Sequence, residues 1–446
     1  MSDPQSSHAR STAIDVQNLG ESFALRARWV FPITAAPLEN GVVSVERGRI
    51  TALGQRSTAG VVELGNVALL PGFVNAHTHL EFSDQTAPLG RAGMAFPDWI
   101  RAVVSARRTA QATLSDDERR RARKLAVERG LAECRANGVT TVGEIATPGW
   151  PVECFSGGGK EPSAVIFQEV LGLSPACSDE QLAVARDHLN RARANGAAWR
   201  AALSPHAPYT VNPQLVERLC RLSAEAFVPV AMHLAESIEE LELLRSHSGP
   251  LVDVLAELGA WHAGAIPRGI RPLDYLRLLA TAHRALVIHG NFLLRDEIEF
   301  VAAHRDRLSV VYCPRTQAYF HAGEYPLRQL LAAGAHVAIG TDSRGSNPDL
   351  SLWEELRFLA RRYADLDPAT ILRLGTWNAA RALGVEAEVG SLEVGKRADF
   401  SVVALSPAAD SDPYRLLVEG ETRVVATFQA GQCRSMNGQS GSAVIR

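Results

Sequence analysis

Val67-Ala-Leu-Leu-Pro-Gly-Phe-Val-Asn-Ala-His-Thr-His79 is an apolar, strand-like run that ends on two histidines one residue apart. Read as a strand over 67–76, it is the first of eight such runs; the others lie at 139–143, 164–168, 200–203, 228–232, 285–288, 308–312 and 336–339. Helical stretches separate them. Ser115-Asp-Asp-Glu118 is a capping-box start, Asn137-Gly138 is a stop just before the second run, and Gly334 closes the helical stretch before the eighth. Eight strands alternating with helices over ~300 residues is the arithmetic of an α/β fold of the (β/α)8 TIM-barrel type. The rival is an open doubly wound sheet, but no GxGxxG or GxxxxGKS/T follows any of the runs, which removes its usual nucleotide-binding support. Two connections, 80–115 and 234–284, are long and predict lids or substrate-selecting segments at the rim.

On either side of this repeat the texture changes. Gly41-Val-Val-Ser-Val-Glu-Arg-Gly-Arg-Ile-Thr-Ala-Leu-Gly54 is two strands about a Glu-Arg-Gly turn, and a similar pattern returns in 390–403 and 423–428. The expected organisation is a barrel over 71–384 and one small β-sandwich domain built from 21–70 and 385–433. The polar stretches 1–20 and 434–446 read as flexible tails.

The chain has 446 residues, 46% of them apolar and 21% charged, so it can build a large core. Its formal net charge of −3 lacks the basic excess that nucleic acid binding wants. No apolar run reaches the ~18–20 residues of a membrane span, and 1–17 lacks the layout of a signal peptide. Six scattered cysteines without a CxxC pair read as reduced thiols, so a cytoplasmic enzyme acting on a small molecule is expected, with a homodimer as candidate assembly.

The chemistry lies where the runs end. His77 and His79 close the first, His233 the fifth, His289 the sixth, and Asp342, in Gly340-Thr-Asp342, the eighth. In a barrel all five reach the C-terminal rim, where such folds place their chemistry. Neutral imidazoles with one carboxylate suit a first-row divalent metal, zinc or alternatively iron(II), which lowers the pKa of water from ~15.7 toward ~7. Hydrolysis also needs a proton carrier. Glu236, three residues beyond His233, is placed to fold back as that carrier; its competing reading is a dipole-stabilised glutamate at a helix start.

Pro71-Gly-Phe-Val-Asn-Ala-His-Thr-His79, Ser204-Pro-His-Ala-Pro208, Met232-His-Leu-Ala-Glu236, Ile288-His-Gly290 and Gly340-Thr-Asp-Ser343 together resemble the amidohydrolase superfamily. The similar branch holds cytosine, guanine and S-adenosylhomocysteine deaminases and the triazine chlorohydrolases. The resemblance implies that His77, His79, His233 and Asp342 bind the metal and that Glu236 shuttles the proton. It further implies that His289 orients or polarises the attacked group and that Asp342 doubles as a base. Binuclear members bridge two metals with a lysine at the end of strand 4. Here Ala201-Ala-Leu-Ser-Pro-His206 has none, and the three lysines, Lys124, Lys160 and Lys396, lie elsewhere, so a mononuclear site is expected.

His206, Glu81, Phe82, Arg315 and Arg344 are the expected substrate contacts, the two arginines as partners of an anion. Asn75-Ala-His-Thr-His-Leu-Glu-Phe-Ser83 and Cys313-Pro-Arg-Thr-Gln-Ala-Tyr-Phe320 look most like aminodeoxyfutalosine deaminases, which act in one route to menaquinone. The implied activity is hydrolytic deamination of an adenine-type nucleoside or related aminated ring. A chlorohydrolase or amide hydrolase on the same centre, and a non-catalytic scaffold, are the alternatives.

Overall fold

The computed structural model describes residues 19–56, 60–155, 159, 161–194, 198–407 and 412–437. Eight parallel strands follow one another around a single sheet: β1 (Phe73–Thr78), β2 (Val139–Ala146), β3 (Ser163–Val170), β4 (Trp199–Pro205), β5 (Pro229–Leu234), β6 (Arg284–His289), β7 (Leu308–Tyr312) and β8 (His336–Ile339). Each pairs in parallel with the next, with register shifts between β1 and β2. The ring closes through the Asp342 N–H, which donates to the His77 carbonyl at 3.0 Å. Closure therefore joins two of the expected metal ligands directly. The fold is the TIM barrel that the spacing predicts.

The first run departs from its reading as one strand. Val67–Pro71 belongs to a different sheet, and only Phe73–Thr78 enters the barrel. Pro71-Gly72 makes the break: the Gly72 N–H donates to Asp399, and a Cβ there would come within 2.2 Å of Thr140 Oγ1. The terminal unit is two sheets. One has four strands, all from the N-terminal part; the other has six and mixes both ends of the chain. Phe23, Val43 and Ile50 from the first meet Leu69, Phe400 and Phe428 from the second in one apolar core. The strand Gln432–Met436 runs past residue 433, so 434–436 is paired β-structure rather than tail. Residues 1–18 of the N-terminal tail and 438–446 lie outside the described residues, as does Lys160.

The helices are α1 (Phe96–Gln111), α2 (Asp116–Ala136), α3 (Ser178–Ala194), α4 (Pro213–Ala226), α5 (Ile238–Ser246), α6 (Pro250–Glu257), α7 (Pro272–Leu279), α8 (Arg295–Ala303) and α9 (Pro314–Tyr319), with further short helices after β7 and β8. The capping box that opens α2 forms as expected, with Ser115 N–H donating to Glu118 at 2.8 Å. Both long connections are helical. The first carries α1, whose Phe96 and Trp99 pack on Phe320 with ring centroids 5.7 and 5.3 Å apart. Trp99 Nε1 also donates to the Gly345 carbonyl at 3.1 Å. α1 is thus a fixed roof over the rim. The second connection carries α5, α6 and α7. No helix among the described residues is long and apolar enough to cross a membrane.

Candidate metal centre and active site

Barrel geometry brings the histidines together because each sits at the C-terminal end of its strand or just past it. His77 Nε2 lies 3.7 Å from Asp342 Oδ1, His79 Nε2 3.8 Å from the same oxygen, and His79 Nε2 3.3 Å from His233 Nε2. Two overlapping groups, His77/His79/Asp342 and His77/His233/His289, each keep their ligand atoms within 4.8 Å of one another. His289 is therefore a neighbour of the cluster as well as of Glu236, whose Oε1 is 3.4 Å from His289 Nε2.

Close approach of the elements has identifiable causes. A Cβ at Gly340 would lie 2.7–2.8 Å from the His77 backbone and Cβ, and one at Gly143 would lie 2.5 Å from the Ala76 carbonyl. Glycine on both flanks of β1 lets β2 and β8 seat against it. Asn75 crosses the same seam, its amide donating to Thr341 Oγ1 at 2.7 Å while its carbonyl oxygen accepts from the Thr341 N–H. Asp342 is oriented by the Ser343 N–H on Oδ1 at 2.8 Å and by the Ser346 hydroxyl on Oδ2 at 3.1 Å.

The electrostatics favour neutral imidazoles. Burial, reinforced by the other histidines, holds His77, His79 and His206 well below the ordinary imidazole value, and burial lowers His233 and His289 as well. His233 Nδ1–H donates to the His206 carbonyl at 2.9 Å, which leaves Nε2 as a lone pair facing the cluster. Both ring nitrogens of His77 are buried and meet no hydrogen-bond partner among the described residues. Orphaned buried nitrogens are rare. Together with two imidazole nitrogens 3.3 Å apart, they fit a divalent cation. Among the described residues no lysine enters the cluster: Lys124 pairs with Glu128, and Lys396 with Glu393.

Glu236 precedes α5 rather than starting it; Ser237 is the cap. Its backbone is pinned by the buried Glu240, which accepts from the Ala235 and Glu236 N–H groups at 2.8 and 2.9 Å. The helix-start role thus belongs to Glu240, and the Glu236 side chain turns toward His289. Burial, then Asp342 and Glu240, push the Glu236 carboxyl well above the usual range.

The expected substrate contacts divide. His206 lies beside His233 with ring centroids 5.0 Å apart, and its Nδ1 bonds the Thr210 hydroxyl at 2.8 Å. Glu81 and Phe82 line a cavity of about 450 Å³ between the short helix Leu80–Phe82, α1, α2 and the ends of β2 and β3. Both arginines are already engaged by carboxylates of the protein. Arg315 is nearly enclosed and donates to Glu355 and Asp349, each at 2.6 Å. Arg344 bonds Glu133 and the Gln85 carbonyl, each at 2.7 Å. Each guanidinium already has a carboxylate, because an unpaired buried cation is far more costly than an exposed one. Sequence reading missed Glu169, at the end of β3 in the same cavity wall, and Glu240; neither stands in a motif, and the first shows only through the cavity it lines, the second through the backbone N–H groups it binds.

A parallel eight-stranded barrel with imidazoles and a carboxylate gathered at its C-terminal rim defines a metal-dependent barrel hydrolase in architecture. The chain belongs to the amidohydrolase family, which it matches over residues 68–433. It is 32% identical over 341 residues to an aminodeoxyfutalosine deaminase of Deinococcus radiodurans, covering 72% of this chain and 75% of that one. It is 28% identical over 392 residues to a 5-methylthioadenosine/S-adenosylhomocysteine deaminase of Moorella thermoacetica, covering 84% and 83%. The solved structure of an adenosine deaminase from Xanthomonas campestris with bound zinc superposes with a TM-score of 0.75 at 26% identity, over 95% of each chain.

Proposed function

We propose that this protein is a metal-dependent hydrolytic deaminase of an adenine-type nucleoside, with aminodeoxyfutalosine the favoured substrate. The observation that carries the reading is the Glu236–His289 pair, 3.4 Å apart, set against the imidazole–carboxylate cluster: a proton carrier and a polar orienting group at one centre. The relatives support it, since all three are named as deaminases of adenine derivatives and the D. radiodurans protein as an aminodeoxyfutalosine deaminase.

In this reading His77, His79, His233 and Asp342 hold one divalent ion, zinc by analogy with the X. campestris structure and iron as the alternative. Bound there, the ion would act as a Lewis acid and lower the pKa of water at the site from ~15.7 toward ~7. Asp342 takes a proton from the attacking water. Glu236 donates its proton to the ring nitrogen beside the attacked carbon, then takes the proton of the newly added hydroxyl and passes it to the departing amino group. The proton held by Asp342 returns to Glu236 to reset the site. His289 orients the attacked carbon, and ammonia leaves as the ring carbon gains a carbonyl oxygen. The barrel 71–384 is the catalytic unit in this reading, 21–70 with 385–433 is the supporting β unit, and the enzyme works in the cytoplasm.

The test is kcat/KM for aminodeoxyfutalosine, S-adenosylhomocysteine, methylthioadenosine and adenosine, with ammonia release as readout. A tenfold or greater preference for a rival nucleoside overturns the substrate. Release of chloride or a carboxylate, with no ammonia from any of the four, overturns the reaction.

A further inference from the structure

Glu236 lies in a turn, between the end of β5 at Leu234 and the start of α5 at Ile238. A carboxyl in a turn is only as well placed as the backbone beneath it. Three consecutive carbonyls there, those of Leu234, Ala235 and Glu236, all accept from one other segment, the turn that follows β6. Gly290 N–H donates to Leu234 at 3.0 Å, and Phe292 N–H donates to Ala235 at 3.1 Å. The side-chain amide of Asn291 donates to Glu236 at 2.9 Å. The first two are backbone bonds, open to almost any sequence. The third depends on one side chain, and it reaches the proton carrier itself.

His289 and Gly290 both have left-handed backbones, at φ 67° and 64°, and turn the chain sharply. The segment thereby holds Glu236 at both ends: the carboxyl through His289 Nε2 at 3.4 Å, the backbone through Asn291. Packing does not account for the amide. Asn291 is 7% exposed, and its Oδ1 is buried with no hydrogen-bond partner among the described residues. An amide that gains one hydrogen bond and leaves one buried acceptor unpaired adds little stability. What the bond supplies is direction. Glu240 holds the Glu236 N–H and Asn291 holds the Glu236 carbonyl, so the peptide is fixed on both sides of the carrier's Cα.

We propose that Asn291 is the positioning residue of the proton carrier: it ties the Glu236 carbonyl to the turn that bears His289, and so sets where the Glu236 carboxyl stands relative to the imidazole. The proposal rests on the deaminase reading, in which Glu236 moves the proton. It assigns to Asn291 a part in kcat without contact to the metal or the substrate.

The experiment measures kcat, KM and metal content for Asn291→Leu and the isosteric Asn291→Asp, each alone and combined with Glu236→Gln. The substrate is whichever of the four nucleosides named above the wild type turns over fastest. Either substitution alone should lower kcat by ~10–100-fold, the loss that a misplacement of ~1 Å brings. Metal content should stay at the wild-type level and KM within about threefold, because neither the ion nor the substrate is held by this residue. In the Glu236→Gln background no transferable proton remains to be placed, so the same substitutions should lower kcat by less than about threefold. Unchanged kcat in the single variants, or an equal fall in both backgrounds, overturns the proposal and leaves the deaminase reading standing. Loss of the metal or of the folded state in both variants makes Asn291 part of the framework and also overturns it. Near-normal kcat for Glu236→Gln alone overturns the carrier reading instead, and this assignment with it.

Discussion

Three residues around the cluster adopt left-handed backbone conformations without being glycine: Ala235 at φ 53°, His289 at φ 67° and Asp342 at φ 58°. Such positions cost roughly 1–3 kcal/mol each and persist where surrounding contacts over-determine them. Here Glu240 binds the Ala235 N–H, Tyr325 donates its hydroxyl to the His289 carbonyl at 2.9 Å, and His77 accepts the Asp342 N–H. The turn after each strand aims its side chain at the centre. Glu236→Gln keeps shape and removes the exchangeable proton, so kcat should fall by ~10²–10⁴-fold while metal content by elemental analysis stays at the wild-type level. Near-normal kcat would move the proton carrier to His289. A second residue tests the core. His188 on α3 is fully buried, stacks on Trp199 at 5.1 Å and donates Nε2–H to the Ile166 carbonyl at 3.0 Å. Burial depresses it from 6.5 to about 4. Above pH 6.5 neither the folded nor the unfolded chain protonates it. Below that the unfolded chain binds a proton that the fold refuses until about 4, so its stabilising contribution shrinks as pH falls through that window. His188→Phe should cost ~0.5–1.5 kcal/mol at pH 7. The gap in urea stability should then close at up to ~1.4 kcal/mol per pH unit on acidification. Parallel curves would show that His188 titrates normally.

Among the elements, β1 is the narrowest fit, held between Gly143 on β2 and Gly340 just past β8. Gly340→Ala should push β8 off His77, separating His77 from Asp342, and the measurable result is loss of bound metal together with turnover. Gly264→Ala, with open space around its Cβ position, is the control and should change neither. Full metal occupancy in the Gly340 variant would mean the seam can relax. At this scale the sequence was readable where a pattern is local. The capping box at Ser115 and seven of the eight barrel runs needed only period and end signals. The first run did not yield, because an apolar stretch looks alike in two sheets, and only the Pro71-Gly72 break with its bond to Asp399 divides it.

For the whole molecule, the cluster links strands from opposite ends of the barrel domain, so metal binding should be coupled to global stability. We expect about one zinc or iron per chain by elemental analysis. The chelated protein should unfold at lower temperature, the shift corresponding to ~2.7 kcal/mol when free metal is 100 times its dissociation constant. His233→Ala should lose the metal. Two metals per chain, or an unchanged Tm after chelation, would refute a single integrated site.

The imidazoles, Asp342 and Glu236 could be picked out before any coordinates, because metal and proton chemistry demand particular side chains and a barrel puts strand ends on one rim. The small terminal β unit was likewise legible from the return of strand texture near the C-terminus. Pairing across the molecule was not. Asn75 meets Thr341 over 266 positions, and the guanidinium of Arg315 is taken by Glu355, 40 residues away. Periodicity and spacing act over a few turns of chain, whereas hydrogen bonds and ion pairs depend on distances that closure of the barrel alone creates.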